Sequence, residues 1–222
     1  MSKKPEKFVS IAKMKTIDNS AIIYGIPIEL MMENAGRGLA QIVENQKFIS
    51  KSKRIVCIAG KGNNGGGVVA AARHLSCLGF KVVLVLLNPM DSCSIPSKFH
   101  LSLIRENSNI KKIALTKKSK FQIFNLIEKA ECVVDGIFGT GFEGQIDEPK
   151  FSLIQKINQS KGWVLSNDLP SGVNGDTGKK GNISINPDFI GVLHKPKKWM
   201  KNVKPSPNFS IISLGIPPEI DI

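Results

Sequence analysis

Asparagine and aspartate side chains recur beside closely spaced glycines at three places in the sequence. The first segment, GKGNNGGG, runs from Gly60 to Gly67 and places Asn63 and Asn64 among five glycines. Glycines at this density let a backbone approach a ligand closely, and a turn that enters a helix presents free N–H groups to an anion. The amides suit a hydroxylated ligand or a hard cation, which prefers oxygen ligands. Because Asn-Gly pairs are also common turn formers, this segment alone leaves ligand binding and plain turn formation open.

Two further segments place a carboxylate at the end of an apolar run. Asp135 precedes a Gly-Thr-Gly turn at 139–141, whose N–H groups and hydroxyl suit phosphate oxygens. Asp168 is followed by a polar turn that starts at Ser171. A capping aspartate with a tight turn would explain either segment alone, but three such segments in one chain indicate a shared site. Two carboxylates facing one crevice suit cation binding or acid–base chemistry, since each perturbs the pKa of the other.

The glycine-rich segment matches neither of the common nucleotide-binding motifs fully. Gly60, Gly62 and Gly65 satisfy the G-x-G-x-x-G spacing, but that motif also needs an acidic residue about 20 positions later, at the end of the second strand, to hold a ribose. That strand ends here in Leu-Leu-Asn at 86–88, and the next carboxylate is Asp91. The glycine run is also not a P-loop, because no Lys-Ser or Lys-Thr pair ends it.

Apolar, β-branched runs alternate with segments of helical length along the chain. The runs lie at 54–60, 81–87, 131–139, 162–168, 188–194 and 209–215. The helical segments lie at 67–78, 97–107, 119–129 and 149–159. This alternation predicts an α/β fold, a three-layer Rossmann-like sandwich with a mostly parallel central sheet and helices on both faces. Ligands of such sheets bind outside the carboxyl ends of the strands, so the three polar segments should meet at one edge.

Two further helices are predicted ahead of the first strand. In the second of them, at 28–43, apolar residues recur at three- and four-residue spacing and form one buried stripe. The sequence contains no internal repeat and no low-complexity linker. We therefore expect residues 1–222 to form a single domain, in which the two N-terminal helices pack on a Rossmann-like core that starts at about residue 53.

The bulk composition indicates a globular protein with a strongly basic surface. The 222 residues are 41% hydrophobic and 22% charged, with a formal net charge of +13. Basic residues cluster at 47–54, 111–120 and 195–204. These clusters contain few interleaved aromatic residues, Trp199 among them, and no known nucleic-acid motif, so they favour a solvated lysine-rich surface over specific nucleic-acid binding.

Neither a membrane span nor a secretory signal is apparent in the sequence. No apolar run approaches the 18 or more residues that a transmembrane helix needs, and the N-terminus has no apolar segment followed by a cleavage site. The four cysteines form no C-x-x-C pair, and Cys57 and Cys132 lie inside apolar runs. Buried free thiols of this kind predict a cytoplasmic location.

Taken together, the motifs resemble those of the NAD(P)H-hydrate epimerases, also called the YjeF N-terminal domain family. The motifs that carry the resemblance are MENAGRGLA (32–40), GKGNNGG (60–66), AARHL (71–75), DGIFGTGF (135–142), DLPSGVNGDTG (168–178) and LGIP (214–217). They occur in the family order and cover nearly the whole chain. The resemblance implies a Rossmann-like isomerase that interconverts the R and S forms of hydrated NADH and NADPH, so that a dehydratase can repair them.

The resemblance also implies a set of site residues. Contacts to the hydrated cofactor are expected from Asn63, Asn64, Gly65, Gly66, Gly67, Gly139, Thr140, Gly141, Phe142, Glu143, Gly144, Gln145 and Asp168. One potassium ion per subunit would be held by Asn64, Asp135 and Ser171, which supply the oxygen ligands that a hard cation prefers. Asp168 is our candidate for the general acid–base work, although a positioning role is equally open.

Three further expectations follow from the resemblance. The dehydratase would be a separate chain, and the epimerase would form a homodimer without membrane or nucleic-acid partners. The family usually has Asp-Gly where this chain has Gly67-Val68, which leaves open a second hypothesis. On that hypothesis the chain is a catalytically inactive binding or scaffold module with a nucleotide or RNA ligand.

Overall fold

Seven parallel strands form one central sheet in a computed structural model that describes residues 7–105, 109–201, 203 and 208–221. The strands are β1 (Arg54–Ala59), β2 (Lys81–Leu86), β3 (Ile110–Ala114), β4 (Cys132–Gly136), β5 (Trp163–Asn167), β6 (Phe189–Leu193) and β7 (Phe209–Ile212). Their spatial order is β3-β2-β1-β4-β5-β6-β7. All six pairings between them are parallel.

Helices cover both faces of the sheet, which confirms the predicted three-layer fold. They are α1 (Ile11–Tyr24), α2 (Ile28–Glu44), α3 (Asn63–Cys77), α4 (Ile95–Ser102), α5 (Lys120–Glu128) and α6 (Lys150–Gln159), with short 3₁₀ turns at 90–92, 198–201 and 218–220. The helices α2, α3 and α4 share one apolar core with the sheet, and α5 and α6 share another on the opposite face. The described residues include no helix long and apolar enough to cross a membrane.

Each central strand is apolar on both sides because both of its faces are covered. In β1, Ile55 and Cys57 belong to the core beneath α2 and α3, whereas Val56 and Ile58 belong to the core beneath α5 and α6. Successive side chains of a strand point to opposite faces, so a two-sided core requires a continuous apolar run.

The helices α2 and α3 pack with their backbones in close contact. A Cβ atom at Gly36 would lie 2.4 Å from the Cβ of Ala70 and 2.7 Å from the backbone carbon of the same residue. No side chain larger than a hydrogen fits there, which explains the glycine in the middle of α2. This contact fixes the middle of α3 against α2.

The helix α1 and the C-terminal segment close the carboxyl-end edge of the sheet. Met14, Ile17 and Ala21 of α1 pack with Met31 of α2 and Leu214 in a small separate core. The fold therefore places a helix beside the strand ends, where the polar segments lie.

The structure differs from the sequence predictions at three elements. The edge strand β3 was not predicted, because Lys111 and Lys112 interrupt its apolar pattern, and they are exposed at the border of the sheet. The sequence predicts a start of α3 at residue 67, because glycines have a low intrinsic helix propensity. Tertiary packing overrides this propensity, and the helix begins at Asn63. The helix predicted at 97–107 spans Ile95–Ser102.

Some sequence expectations concern residues outside the described part of the chain. These are the basic N-terminal residues 1–6, part of the helix predicted at 97–107, and part of the basic cluster at 195–204.

The order of the strands reverses direction between β1 and β4. From β1 the chain moves outward to β2 and β3, and then returns to β4 on the other side of β1. The carboxyl ends of β1 and β4 therefore form a topological switch point, where an open α/β sheet leaves a crevice for a ligand.

Candidate active-site cleft

A cleft of about 810 Å³ opens at this switch point. Its walls come from the segments that follow β1, β4 and β5 and from α1 and α2. Of the residues predicted to contact a ligand, those that line it are Asn63, Asn64, Gly65, Gly67, Gly139, Thr140, Gly141, Phe142 and Asp168. The volume lies within the range of small-molecule sites, so the three polar segments meet at one cavity.

The N-terminus of α3 points free backbone donors into this cleft. Gly62 is the N-cap residue, and among the described residues no side chain accepts a hydrogen bond from the first turn of the helix. The side chain of Asn63 is held elsewhere, since its Oδ1 accepts a hydrogen bond of 2.8 Å from Ser94 Oγ. The first N–H groups of a 15-residue helix, with its positive dipole end, are thus available to an anion.

Close packing requires two of the glycines at this helix start. A Cβ at Gly65 would lie 2.0 Å from the carbonyl oxygen of Gly60, and a Cβ at Gly66 would lie 2.4 Å from Met32 Sδ. Gly66 does not line the cleft. These glycines let α3 begin directly against the end of β1, and this brings its N–H groups to the ligand side.

The three predicted cation ligands are linked by hydrogen bonds through the main-chain N–H and carbonyl groups of Phe138. Asn64 Nδ2 donates to the Phe138 carbonyl oxygen at 2.7 Å, and the Phe138 N–H donates to Ser171 Oγ at 2.9 Å. The Ser171 hydroxyl donates in turn to Asp135 Oδ1 at 2.6 Å. Residues that are far apart in the sequence therefore gather at one point of the sheet edge.

Asp135 lies fully buried below the cleft, and its carboxylate accepts four hydrogen bonds. The donors are Ile137 N–H, Ser166 Oγ, Ser171 N–H and Ser171 Oγ, at distances of 2.6 to 3.1 Å. Burial raises the pKa of Asp135 above its ordinary value, and the hydrogen bonds from Ser171, Ile137 and Ser166 oppose that rise. The side chain joins the ends of β4 and β5 and fixes the segments that follow them.

Asp168 reaches the cleft through an unusual backbone conformation and a buried ion pair. Its φ of 62° lies in the left-handed region, which an aspartate adopts at some cost. Its Oδ1 accepts hydrogen bonds from Leu193 N–H at 2.9 Å and from the ammonium of Lys197. Lys197 is fully buried and also donates to the carbonyl oxygen of Leu193 at 2.9 Å. Both charged groups are therefore fixed in place.

Asp18 of α1 also lines the cleft, and it is not among the site residues predicted from the sequence. The cleft-lining residues of α1 recur at helical spacing and are Ile11, Met14, Lys15, Asp18, Asn19 and Ile22. Burial raises the pKa of Asp18 to about 6, with Lys197 lowering it and Asp168 raising it. A carboxyl group with a pKa near neutrality in a cleft is a common feature of enzyme active sites.

Other lining residues were also missed, and they carry positive charge or amide groups. They are Lys15, Lys61, Asn88, Lys150, Asn167 and Lys197. A sequence signal existed for Asp18, which lies on the same helical face as the apolar Met14 and Ile22. The sequence contains no such signal for Lys197, because it is one of several lysines in a basic cluster and nothing in the sequence indicates its burial.

Four predicted contact residues do not line the cleft. Gly66 is buried in the helix packing, whereas Glu143, Gly144 and Gln145 are exposed beyond the cleft wall.

At Gly67, where the family motif usually has an aspartate, the space is bordered by Asn167. A Cβ at Gly67 would lie 2.9 Å from Asn167 Nδ2. That amide donates to the carbonyl oxygen of Asn64 at 2.9 Å, and its Oδ1 is buried without a hydrogen-bond partner among the described residues. Val68, in the next position, is fully buried in the core. In this chain the amide of Asn167 from β5 thus occupies the space beside Gly67 of α3.

Comparison with known proteins identifies similar chains along almost the whole length. The family described as YjeF-related protein N-terminus matches residues 28–199. An NAD(P)H-hydrate epimerase of Nitrosopumilus maritimus is 32% identical over 96% of this chain and 97% of its own length. That of Cenarchaeum symbiosum is 30% identical over the same shares of the two chains.

Two further comparisons concern length and fold. A bifunctional NAD(P)H-hydrate repair enzyme Nnr of Methanothermobacter thermautotrophicus is 32% identical over 94% of this chain, which spans 40% of that longer enzyme. The crystal structure of the yeast protein YNL200c matches with a TM-score of 0.77 and 25% identity, over 93% of this chain and 87% of the yeast chain.

Proposed function

The chain belongs to the family of YjeF-related protein N-termini, and on that premise we propose that it interconverts the R and S epimers of hydrated NADH and NADPH. It is an isomerase of nicotinamide-nucleotide repair. The observation that carries this proposal is the cleft at the switch point, where the start of α3 and the Asp168–Lys197 ion pair line the same cavity. The epimerases of similar length share about 30% of its residues from end to end.

The cleft suits the phosphate-bearing part of a dinucleotide. The free N–H groups at the start of α3 and the turn at 139–141 provide backbone donors. The cleft-lining Lys15, Lys61 and Lys150 add positive charge. Together these groups can hold the anionic pyrophosphate without the ribose-binding carboxylate of an ordinary Rossmann site.

The chemistry takes place at carbon 6 of the hydrated ring, which carries a hydroxyl next to the ring nitrogen. To invert this carbon, either the bond to the hydroxyl or the ring must open and then close from the other face. Both routes need a proton donor and a proton acceptor. The Oδ2 of Asp168 accepts no hydrogen bond from the described residues, so it is free to contact the substrate. A role of Asp168 in proton transfer stays a prediction.

We also propose that Asn64, Asp135 and Ser171 hold a potassium ion. Two observations support the fit: the three side chains meet around the Phe138 peptide, and they offer amide, carboxylate and hydroxyl oxygens, as a hard cation requires. The Asn64 side chain uses its Nδ2 as a donor, which leaves its Oδ1 free as a ligand. A bound cation would supply fixed positive charge below the cleft.

The proposed partners and location follow from the relatives. One relative is named a bifunctional NAD(P)H-hydrate repair enzyme, and we propose that a separate dehydratase consumes the S epimer that this chain releases. A homodimer is a further proposal, supported by the exposed apolar Leu30 of α2 and Phe99 of α4. The four free cysteines support a reducing cytoplasm.

An epimerisation assay tests the function. Purified protein is mixed with hydrated NADH enriched in the R form, and the two epimers are separated by chromatography over time. We expect the protein to speed the approach to the R/S equilibrium in proportion to its concentration. Coupling to an S-specific dehydratase should let all of the R form be consumed.

The same assay tests the cation when potassium is replaced by a bulky organic cation at equal ionic strength. The rate should fall without potassium, and potassium should raise the melting temperature of the free protein, since a ligand that binds the folded state stabilises it. A wild-type protein that leaves the R form unchanged with potassium present would contradict the epimerase proposal itself.

A further inference from the structure

The structure contains a second carboxylate, Asp18, that lines the same cleft as Asp168 but is held quite differently. Asp168 is buried, and its Oδ1 is engaged by Lys197 and by the Leu193 N–H. Asp18 is partly exposed on α1, and no hydrogen bond or ion pair from the described residues reaches its carboxyl group. Of the two, only Asp18 has both oxygens available to a ligand.

The charges around Asp18 come from each element that borders it. Lys197 and Asp168 act on it across the cleft, and Lys15 lies on the same face of α1. Two acidic residues from other segments lie at the ends of α1, and each already accepts a hydrogen bond. Asp176 Oδ1 accepts from Ile11 N–H at 2.9 Å, and Glu219 Oε1 accepts from Tyr24 Oη at 3.4 Å.

These surroundings let Asp18 exist in both protonation states near neutral pH. Partial burial disfavours its charged form and raises its pKa to about 6, while the Lys197 ammonium lowers the pKa and Asp168 raises it. A group that both donates and accepts a proton within one cycle works best with such a pKa.

We propose that Asp18 is the catalytic residue that exchanges a proton with the C6 hydroxyl of the hydrated cofactor, and that the Asp168–Lys197 ion pair positions the ring. This inference rests on the proposed epimerase function. The two roles belong to different elements. The helix α1 supplies the carboxyl group that gains and loses a proton, and the end of β5 supplies a carboxylate whose position is fixed.

The step balances as a loss and return of water. The protonated Asp18 carboxyl gives its proton to the C6 hydroxyl, the C6–O bond breaks with its electron pair on oxygen, and water leaves. The lone pair of the ring nitrogen stabilises the cation formed at C6. Water then adds to the opposite face of C6 and releases its extra proton to the surrounding water, and the Asp18 carboxylate regains a proton from that water, which restores the starting state.

The test compares Asp18→Asn with the wild type in the chromatographic assay, which needs no coupling enzyme. We expect kcat to fall on the order of 100-fold with little change in KM, because the amide fills the same space but cannot exchange the proton. For the wild type, kcat/KM should fall as the pH rises above about 6, since less of the carboxyl is then protonated. The variant should not show this fall of kcat/KM above about pH 6, which we call the pH limb.

Two control variants accompany the test. Asp91→Asn makes the same chemical change at an exposed carboxylate that does not line the cleft, and it should behave as wild type. Asp18→Glu keeps a carboxyl group and should recover part of the activity, with a pH limb still present. Thermal unfolding of each variant shows whether the fold is retained.

A second measurement follows the carboxyl group of Asp18 in the wild-type protein itself. Carbon-detected NMR titration of the wild-type protein, with the Asp18 resonance assigned by comparison with the variant or with the Asp18→Glu protein, should show a carboxyl that titrates near pH 6. The inference is overturned if Asp18 titrates at an ordinary aspartate value, if Asp18→Asn loses less than about tenfold in kcat, or if the variant keeps the wild-type pH limb. A wild-type protein without activity would instead contradict the function on which the inference rests.

Discussion

At the residue scale, the two strand-end aspartates show how neighbouring groups set the role of a side chain. Asp135 is fully buried and accepts four hydrogen bonds from its own sheet edge. Asp168 has one oxygen fixed by a buried lysine and faces the cleft. Both follow apolar strands, so their sequence contexts look alike. The partners that distinguish them come from residues 25 to 36 positions away in the chain.

Replacing Asp135 with asparagine should destabilise the fold strongly. The asparagine Nδ2 would face donors such as the Ser171 N–H, and at least one buried donor would lose its acceptor. We expect the free energy of unfolding to fall by about 3 kcal/mol, measured by urea denaturation at neutral pH. The exposed Asp91→Asn is the control, and an equal stability of the two variants would contradict the structural role of Asp135.

Gly67 of α3 lies close to Asn167 of β5, and the glycine-rich motif alone does not indicate this contact. An aspartate at position 67 would bring its Cβ to 2.9 Å from Asn167 Nδ2. The Asn167 amide, which donates the hydrogen bond to the Asn64 carbonyl oxygen, would have to shift. The two positions are therefore coupled, and a substitution at 67 acts also on the start of α3.

At the element scale, α3 is the helix that turns the glycine-rich segment into a binding surface. Its start is pressed against the end of β1 at Gly65, against α2 at Gly66 and against the segment after β4 through Asn64. Each contact requires either a missing side chain or an amide. The free N–H groups at its first turn follow from this packing.

The contact between α2 and α3 should be sensitive to a single methyl group. In Gly36→Ala the new Cβ would overlap with Ala70, and the clash with backbone atoms outweighs the better helix propensity of alanine. We expect a loss of about 2 kcal/mol in the free energy of unfolding, measured by chemical denaturation.

Gly141→Ala serves as the matched control for this packing. A Cβ at Gly141 would meet no atom within 4 Å, and its φ is not in the left-handed region. Its stability should change by less than about 0.5 kcal/mol. Similar losses in the two variants would mean that the α2–α3 contact does not decide the effect.

At the scale of the whole molecule, four of the lysines that contribute to the net charge of +13 line the cleft. Lys15, Lys61, Lys150 and Lys197 come from four separate parts of the chain and line the same cavity. Three of them are accessible at its walls, whereas Lys197 is buried and paired with Asp168. A dinucleotide carries its negative charge on the pyrophosphate, so the overall field favours its approach.

Ionic strength should therefore affect capture of the substrate more than its conversion. Raising the salt from about 0.05 M to about 0.5 M, at a constant potassium concentration, should lower kcat/KM roughly fivefold through screening, with kcat nearly unchanged. The measurement is the epimerisation rate at several substrate concentrations, with a tetraalkylammonium salt as the added electrolyte. An unchanged kcat/KM across this range would show that the surface charge does not steer the substrate.

Sequence patterns were sufficient for the architecture because they reflect local physics. The continuous apolar runs reflect strands that are buried on both faces, and the helical spacing of 28–43 reflects a helix that is buried on one face. These patterns predicted the α/β sandwich and the segments that meet at its edge. They failed at β3, where an edge strand needs few apolar residues, and at α3, where packing overrides the low helix propensity of glycine.

The amino-acid sequence by itself determined the fold class, the family motifs and the polar groups at the carboxyl ends of β1, β4 and β5. Only the tertiary structure decided which of those groups face the cleft, and it brought in Asp18 of α1 and Lys197 after β6, which no motif indicates. The physical reason is that the protonation and orientation of a side chain depend on its burial and charged neighbours. Those neighbours here come from distant parts of the chain, and only the packing of α1 against the sheet edge places them together.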